Sequence, residues 1–161
     1  MDNVTAGQQG GAGREAKAGR IHLGTNAASN EGGQGVTVKL AAVTVDCEDA
    51  LTVGRFWSAA LSRSLDPNPS SEFAAIGMTE HRDVQGWRLG GDPTWLFNKV
   101  PEPKTAKNRM HLDLAAADRE AEVARLVELG ANRVTDMDEW GYQWTVMQDP
   151  EGNEFCVAQT R

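Results

Sequence analysis

Arg109, His111 and Asp113 alternate along residues 109–114, which we predict to form a β-strand. They therefore place a guanidinium, an imidazole and a carboxylate on one side of that strand. The opposite side, which we expect to pack on a helix, carries Met110, Leu112 and Leu114. An imidazole titrates near neutral pH, so His111 could act as an acid or base or as a ligand contact. The alternative is a structural polar network, in which Asp113 or Arg109 holds the imidazole and the two charged residues form an ion pair.

Cys156 is a second group with possible reactivity, in a strand predicted over residues 154–158. A cysteine attacks as its thiolate, and the neighbour that could activate it is His111. The alternative is a thiol that serves as a small buried hydrophobic group. The chain has two cysteines, Cys47 and Cys156. Because the sequence shows no export signal, we expect both to be reduced.

Trp144 shares one side of a predicted strand with Trp140 and Tyr142. Large aromatic side chains along a concave wall are typical of small-molecule pockets. The same residues would also suit a core or a dimer contact, and the sequence leaves both possibilities open. Trp57 differs, because it falls on the apolar face of a predicted helix and should lie in the core.

The elements that position these residues follow a repeated order. Residues 36–47 alternate and are rich in β-branched side chains, which predicts a strand. Asp49 is a predicted N-cap of the helix that follows, and Asp118 is the corresponding N-cap of a second helix. These aspartates lie 69 positions apart (118 − 49), as do Ala42 and His111 (111 − 42). The common offset indicates two copies of one structural unit.

Three shorter strands are predicted after each helix. They lie near residues 72–78, 86–89 and 94–100 in the first half and near 132–135, 143–147 and 154–158 in the second. The predicted fold class is therefore α+β, with two β-α-β-β-β units at about residues 36–100 and 108–161. We expect the units to form a cupped mixed sheet with the helices outside.

Residues 1–35 differ in composition from the rest of the chain. Nine of the 17 glycines lie there, and no aromatic residue does. Such a segment cannot bury enough apolar surface to offset the entropy of ordering it. We predict a disordered N-terminal tail, followed by one domain over residues 36–161.

The chain carries a formal net charge of −7. A net negative charge repels phosphate groups, which argues against nucleic acid and anionic membrane surfaces as partners. No apolar run reaches the roughly 20 residues that a spanning helix needs. We therefore expect a cytoplasmic protein.

Two segments carry a resemblance to a known family. Asn-Arg-Met-His-Leu-Asp-Leu at residues 108–114 and Asp-Pro-Glu-Gly-Asn-Glu-Phe-Cys-Val at residues 149–157 resemble the glyoxalase-like branch of the vicinal-oxygen-chelate superfamily, a branch common in actinobacteria. The similarity covers about residues 38–159. The superfamily includes lyases, dioxygenases, epimerases and bleomycin resistance proteins, so the resemblance implies a fold rather than one substrate. It also implies a homodimer.

The resemblance further implies four inward-facing positions that hold a divalent ion in metal-dependent members. Here they fall at Ala42, near Asn98, at His111 and at Cys156. We expect these four residues to surround one cavity. The set lacks the carboxylates that hard cations prefer and the three good ligands of a zinc site, so we predict no metal or other cofactor. A divalent ion held by His111 and Cys156 is the alternative.

Two functions follow from these features. The first is a binding protein whose cavity takes a small organic molecule, with contacts from Asn98, Arg109, His111, Asp113, Trp144 and Cys156. The second is an enzyme, a metal-independent lyase or isomerase. In that enzyme His111 would be the catalytic acid or base, assisted by Cys156 or Asp113.

Overall fold

The computed structural model describes residues 40–83, 86–87 and 91–160. The predicted tail and most of the first half of the predicted strand at 36–47 lie outside the described residues. Everything below concerns the domain from Leu40 onward.

The first unit begins with strand β1, Ala42–Cys47, and helix α1, Ala50–Ala60. Its other elements are β2 (Phe73–Ile76), α2 (Met78–His81), β3 (Arg82–Asp83), β4 (Gly86–Trp87) and β5 (Thr94–Lys99). Strands β1, β5 and β2 form one sheet in that order, with β1 parallel to β5 and β2 antiparallel to it. Parallel strands need a long connection, and α1 is part of the connection that leads from β1 to β5.

One detail of the first unit differs from the predicted pattern. The described part of the strand predicted near residues 86–89 is β4, which pairs with β3 in a hairpin. In the described residues that hairpin is not part of the β1-β5-β2 sheet.

The second unit follows the predicted order. It consists of β6 (Leu112–Ala116), α3 (Arg119–Glu128), β7 (Asn132–Glu139), β8 (Tyr142–Gln148) and β9 (Glu154–Gln159). The sheet order is β6-β9-β8-β7, with β6 parallel to β9. The α+β class and the superfamily fold predicted from the sequence are confirmed.

Matching caps start the two long helices. The Asp49 carboxylate accepts a hydrogen bond from the Thr52 amide at 2.7 Å, and that of Asp118 accepts one from the Ala121 amide at 3.0 Å. These bonds satisfy amides that have no partner within the helix. The offset of 69 positions found in the sequence therefore relates two helix N-caps that are present in the structure.

Both helices pack over one shared core. Trp57 of α1 lies 4.8 Å from the Trp95 ring in β5 and 5.2 Å from the Phe155 ring in β9, measured between centroids. Val123 and Leu126 of α3 belong to the same cluster. The strand residues of opposite parity therefore point away from the helices, and we call that side of each sheet its open face.

Candidate functional site

Strand register places three of the predicted site residues on the open face of the second sheet. Asp113 of β6 is the register partner of Cys156 in β9, and Cys156 is in turn paired with Val146 in β8. Trp144 lies two residues before Val146 and therefore on the same face. The other parity of β6, with Leu112 and Leu114, packs against the core as predicted.

His111 immediately precedes β6 and joins this group. Its Nε2 lies 3.5 Å from the Asp113 Oδ1. The nearest ligand atoms of His111, Asp113 and Cys156 all lie within 4.8 Å of one another. The imidazole is 48% exposed and the carboxylate 71% exposed, whereas Cys156 is buried. We call these three residues the His-Asp-Cys cluster.

The environment of Cys156 suppresses its reactivity. Burial raises the pKa of its thiol to about 11, and the negative charge of Asp113 and a hydrogen bond to it act in the same direction. Lys107 opposes the shift. At neutral pH the group is a thiol rather than a thiolate, so the cluster does not prepare Cys156 as a nucleophile.

The remaining predicted contacts lie elsewhere. Asn98 is a half-buried residue of β5 and so belongs to the first sheet, where its carbonyl oxygen accepts a hydrogen bond from the Cys47 thiol at 3.4 Å. Arg109 is exposed in the segment before β6. Ala42 opens β1. The structure thus brings His111, Asp113 and Cys156 together, while Ala42 and Asn98 lie on the other sheet.

A cavity of about 250 Å³ opens between β1 and the segment that leads into β6. Its lining consists of residues 43–46, residues 110–112, Trp57, Asn108, Asp149, Asn153 and Glu154. His111 is therefore shared between this cavity and the open face. Ala42, Asn98 and Cys156 do not line this cavity. A single cavity around the four positions that hold an ion in metal-dependent members of the superfamily therefore stays a prediction.

Two apolar side chains lie differently from expectation. Met110 is 68% exposed rather than packed on a helix, because β6 begins only at Leu112 and the strand alternation does not reach back to residue 110. Trp140 is 85% exposed and lies between β7 and β8 rather than in a strand. Trp144 is half-buried on the open face, and its role as a wall of a pocket stays a prediction.

Sequence reasoning did not single out Asp149, which directly follows β8. Its carboxylate is fully buried and accepts hydrogen bonds from the Trp57 indole at 3.2 Å and from the Asn153 amide at 2.9 Å. Next to it, the Glu151 carboxylate accepts from the amides of Glu48 and Asp49 at 2.6 and 2.7 Å. A signal was present, since Asp149 and Glu151 lie in the second of the two segments that resemble the glyoxalase-like branch.

A family model described as a glyoxalase-like domain matches residues 42–158. The chain belongs to this family. No curated protein sequence matches the chain. Within the described part of this glyoxalase-like protein, no helix combines the length and apolar character needed to cross a membrane.

Solved structures agree with the family. The chain is similar to a glyoxalase/bleomycin resistance protein/dioxygenase family enzyme from Burkholderia phytofirmans PsJN, with 16% identity, a TM-score of 0.57, and 77% of this chain and 100% of that chain covered. It is also similar to a lactoylglutathione lyase from Agrobacterium tumefaciens (12% identity, TM-score 0.51, 75% and 92% covered). A third is the bleomycin-binding protein of bleomycin-producing Streptomyces verticillus (14%, 0.51, 78% and 99%). At such identities these structures support the fold alone.

The inherited metal site does not fit the residues of this chain. The resemblance implies four ligands, usually His and Glu, drawn from both units. Ala42 has no ligand atom, and Cys156 supplies a protonated thiol where a carboxylate is usual. Hard ions such as Mg²⁺ and Mn²⁺ require several oxygen ligands.

Proposed function

We propose that this glyoxalase-like protein binds a small organic molecule on the open face of its second sheet. The observation that carries the proposal is the grouping of an imidazole, a carboxylate and a thiol within 4.8 Å. Trp144 lies on the same face and supplies an aromatic surface. A few convergent polar groups beside an aromatic side chain are what small-molecule sites commonly contain.

Further contacts complete the proposed site. Arg109 lies two residues before His111, and we include Asn98, on the open face of the first sheet, as a contact from the other unit. The cavity that His111 shares with β1 provides room for part of a ligand. The Streptomyces verticillus neighbour binds copper(II)-bleomycin, so this fold accommodates an organic ligand in at least one similar protein.

The second candidate is a metal-independent lyase or isomerase. The observation in its favour is the 3.5 Å approach of the His111 Nε2 to the Asp113 Oδ1. A carboxylate at that position can orient an imidazole and stabilise its protonated form during proton transfer. Since the Cys156 thiol is protonated, Asp113 is the better partner for His111 in such a reaction.

Replacing His111 tests the binding proposal. A thermal-shift screen of the full chain against small organic compounds, with copper-loaded bleomycin included, would supply a ligand for calorimetric titration. We expect His111→Ala to weaken binding by about 1–3 kcal/mol, or roughly 5- to 150-fold, because a polar group of the ligand loses its partner. The free energy of unfolding should change by less than about 0.5 kcal/mol, since the imidazole is half exposed.

The matched control is Gln143→Ala. Gln143 is exposed on β8 with the opposite parity to Trp144, and it donates to Asp138. This variant should leave affinity unchanged. A His111→Ala protein with unchanged affinity and clearly reduced stability would show that His111 only supports Asp113. Turnover of a bound compound that His111→Ala abolishes without weakening binding would favour the enzyme instead.

A further inference from the structure

We propose that the cavity between β1 and the segment leading into β6 binds a quaternary ammonium group, as the positively charged end of a small organic molecule. The cavity volume of about 250 Å³ is below the roughly 300–1,000 Å³ of pockets that take whole drug-sized molecules, so it suits one end of a ligand. This inference rests on the proposed function, because His111 belongs both to the cavity and to the proposed site on the open face.

The wall of the cavity contains a buried negative charge that has no counter-charge. Asp149 is fully buried in this wall. Its hydrogen-bond donors are all neutral, namely the Trp57 indole, the backbone amides of Glu151 and Asn153, and the Asn153 side chain. None of the ion pairs among the described residues involves Asp149. Because a buried charge is costly unless an opposite charge lies close to it, a cation in the cavity would stabilise this carboxylate.

The other charged groups of the lining keep the cavity negative. Asp46 lines it, is exposed, and forms no ion pair with any described residue. Glu154 also lines it, but the Lys104 ammonium lies 3.3 Å from that carboxylate and offsets its charge. In the described part of the chain, no lysine or arginine lines the cavity. The pKa of the Cys47 thiol, raised to about 12 by burial and then by nearby carboxylates, reflects the same negative field.

The hydrogen bonds of Asp149 select the kind of cation. A carboxylate has about four lone-pair sites, and the four donors of Asp149 occupy them. A metal ion or a primary ammonium group would need free lone pairs, whereas a quaternary ammonium group has no N–H to satisfy. Its carbon substituents also suit apolar surface, which Val43, Val45 and Leu112 provide in the lining. The site therefore lacks positive charge rather than a hydrogen-bond donor, and a quaternary ammonium group supplies that charge.

Choline and its neutral tert-butyl analogue, in which carbon replaces the nitrogen, are matched probes for the full chain. They have the same shape and differ in charge. The Trp57 indole N–H donates to Asp149 in the cavity wall, so its signal in nitrogen–proton correlation spectra reports binding there. At constant ionic strength, we expect choline to shift this signal saturably and to bind about tenfold or more tightly than the neutral analogue. Ethanolamine, a primary ammonium compound, should bind more weakly than choline.

Three variants locate the binding. Asp46→Asn removes one negative charge from the lining and should weaken choline binding by about threefold or more. Glu128→Gln is the matched control, because it removes one exposed negative charge from α3 outside the cavity, and it should leave the affinity unchanged. Asp149→Asn should weaken binding by about tenfold in protein whose circular dichroism matches wild type. If that variant does not fold, the comparison of Asp46→Asn with Glu128→Gln still decides the question.

Equal affinity for choline and its neutral analogue would overturn the proposal, and so would an affinity that Asp46→Asn and Glu128→Gln alter equally. Binding of ethanolamine as tight as that of choline would show that hydrogen bonding, not charge alone, selects the ligand, and would also overturn it. These outcomes leave the proposed function standing, because a ligand on the open face can still depend on His111. That function fails separately, if His111→Ala leaves the affinity for the screened compound unchanged.

Discussion

Asp149 shows how much one buried carboxylate can organise. It receives hydrogen bonds from the Trp57 indole, from the backbone amides of Glu151 and Asn153, and from the Asn153 side chain. Within the described residues, no buried side-chain nitrogen or oxygen lacks a hydrogen-bond partner. Asp149 is thus the acceptor for the buried Trp57 indole and for partly buried donors of Glu151 and Asn153.

Truncating this carboxylate should be costly. We expect Asp149→Ala to lower the free energy of unfolding by about 3–5 kcal/mol, because the buried Trp57 indole and several partly buried donors lose their acceptor at once. Asp149→Asn retains one oxygen and should cost less. Urea denaturation measures both, and Asp138→Ala, at an exposed residue of β7, should stay within about 0.5 kcal/mol of wild type. A loss below about 1 kcal/mol for Asp149→Ala would mean that water replaces the carboxylate.

Single residues were predicted well from the sequence where the cause is local. Asp49 and Asp118 were recognised as caps because a cap depends on the next three residues. The pairing of Asp113 with Cys156 and the burial of Asp149 depend on strand register and on Trp57, 92 positions away, which no local pattern encodes. Even so, the strand alternation correctly set Asp113 apart from Leu112 and Leu114.

At the scale of elements, Gly54 sets how closely α1 approaches the first sheet. A Cβ added there would lie 3.0 Å from the Ala74 Cβ and 3.3 Å from the Phe97 Cδ2. Alanine favours a helix by about 0.5–1 kcal/mol over glycine, but overpacking costs about 1–3 kcal/mol. The cost of overpacking at this close approach should therefore exceed the gain in helix propensity.

We accordingly expect Gly54→Ala to be destabilising by about 1–2 kcal/mol. Guanidinium denaturation provides the measurement, and Arg55→Ala, at the exposed neighbouring position of α1, should be nearly neutral. Stabilisation by Gly54→Ala would indicate that α1 can move away from β2 at little cost.

The turn between β7 and β8 carries a strained residue. Trp140 has φ of +53° and Gly141 has φ of +79°, so both occupy the left-handed region that type I′ hairpin turns require. Asparagine and glycine tolerate this region far better than a bulky aromatic residue. The indole is exposed and has little packing to offset the strain.

Trp140→Asn should therefore raise the free energy of unfolding by about 1 kcal/mol. Trp140→Ala removes the same indole but keeps a Cβ in the left-handed region, so it should bring little gain. Thermal denaturation of both variants distinguishes relief of strain from loss of an exposed aromatic group. A lower midpoint for Trp140→Asn would mean that the indole makes stabilising contacts in solution.

Element order was easier to predict than strand partnership. In the second unit β7, β8 and β9 pair as consecutive hairpins, and β9 lies beside β6. In the first unit β2 pairs with β5 rather than with the β3–β4 hairpin that follows it. Periodicity identifies a strand but does not state its neighbour, so this arrangement required the structure.

At the scale of the whole molecule, the second unit holds both ends of α1. The Glu151 carboxylate binds the amides that lead into the helix, and the Arg125 guanidinium donates to the carbonyls of Ala59 and Ala60 at 3.1 and 2.8 Å. Negative charge at a helix N-terminus and positive charge at its C-terminus also complement the helix dipole. The two units are thereby tied through one helix.

The predicted homodimer stays a prediction, and β7 is where we would look for its interface. This strand is at the edge of its sheet, and seven of its eight residues are exposed. Sedimentation equilibrium at micromolar concentration should give twice the monomer mass. Val134→Lys on β7 should weaken the dimer, whereas Val127→Lys on α3 should not. A wild-type protein that sediments only as a monomer would contradict the prediction.

The Trp57–Asp149 hydrogen bond also bears on how the chain matures during synthesis. Its two partners are separated by 92 positions, and Glu151 and Phe155 contact α1 from still further along the sequence. At roughly 5–20 residues per second, a ribosome needs about 5–18 s to add that stretch. Throughout this interval we expect the nascent first unit to present the aromatic face of α1 without its second-sheet partners, so apolar surface that the finished domain buries stays open to other contacts.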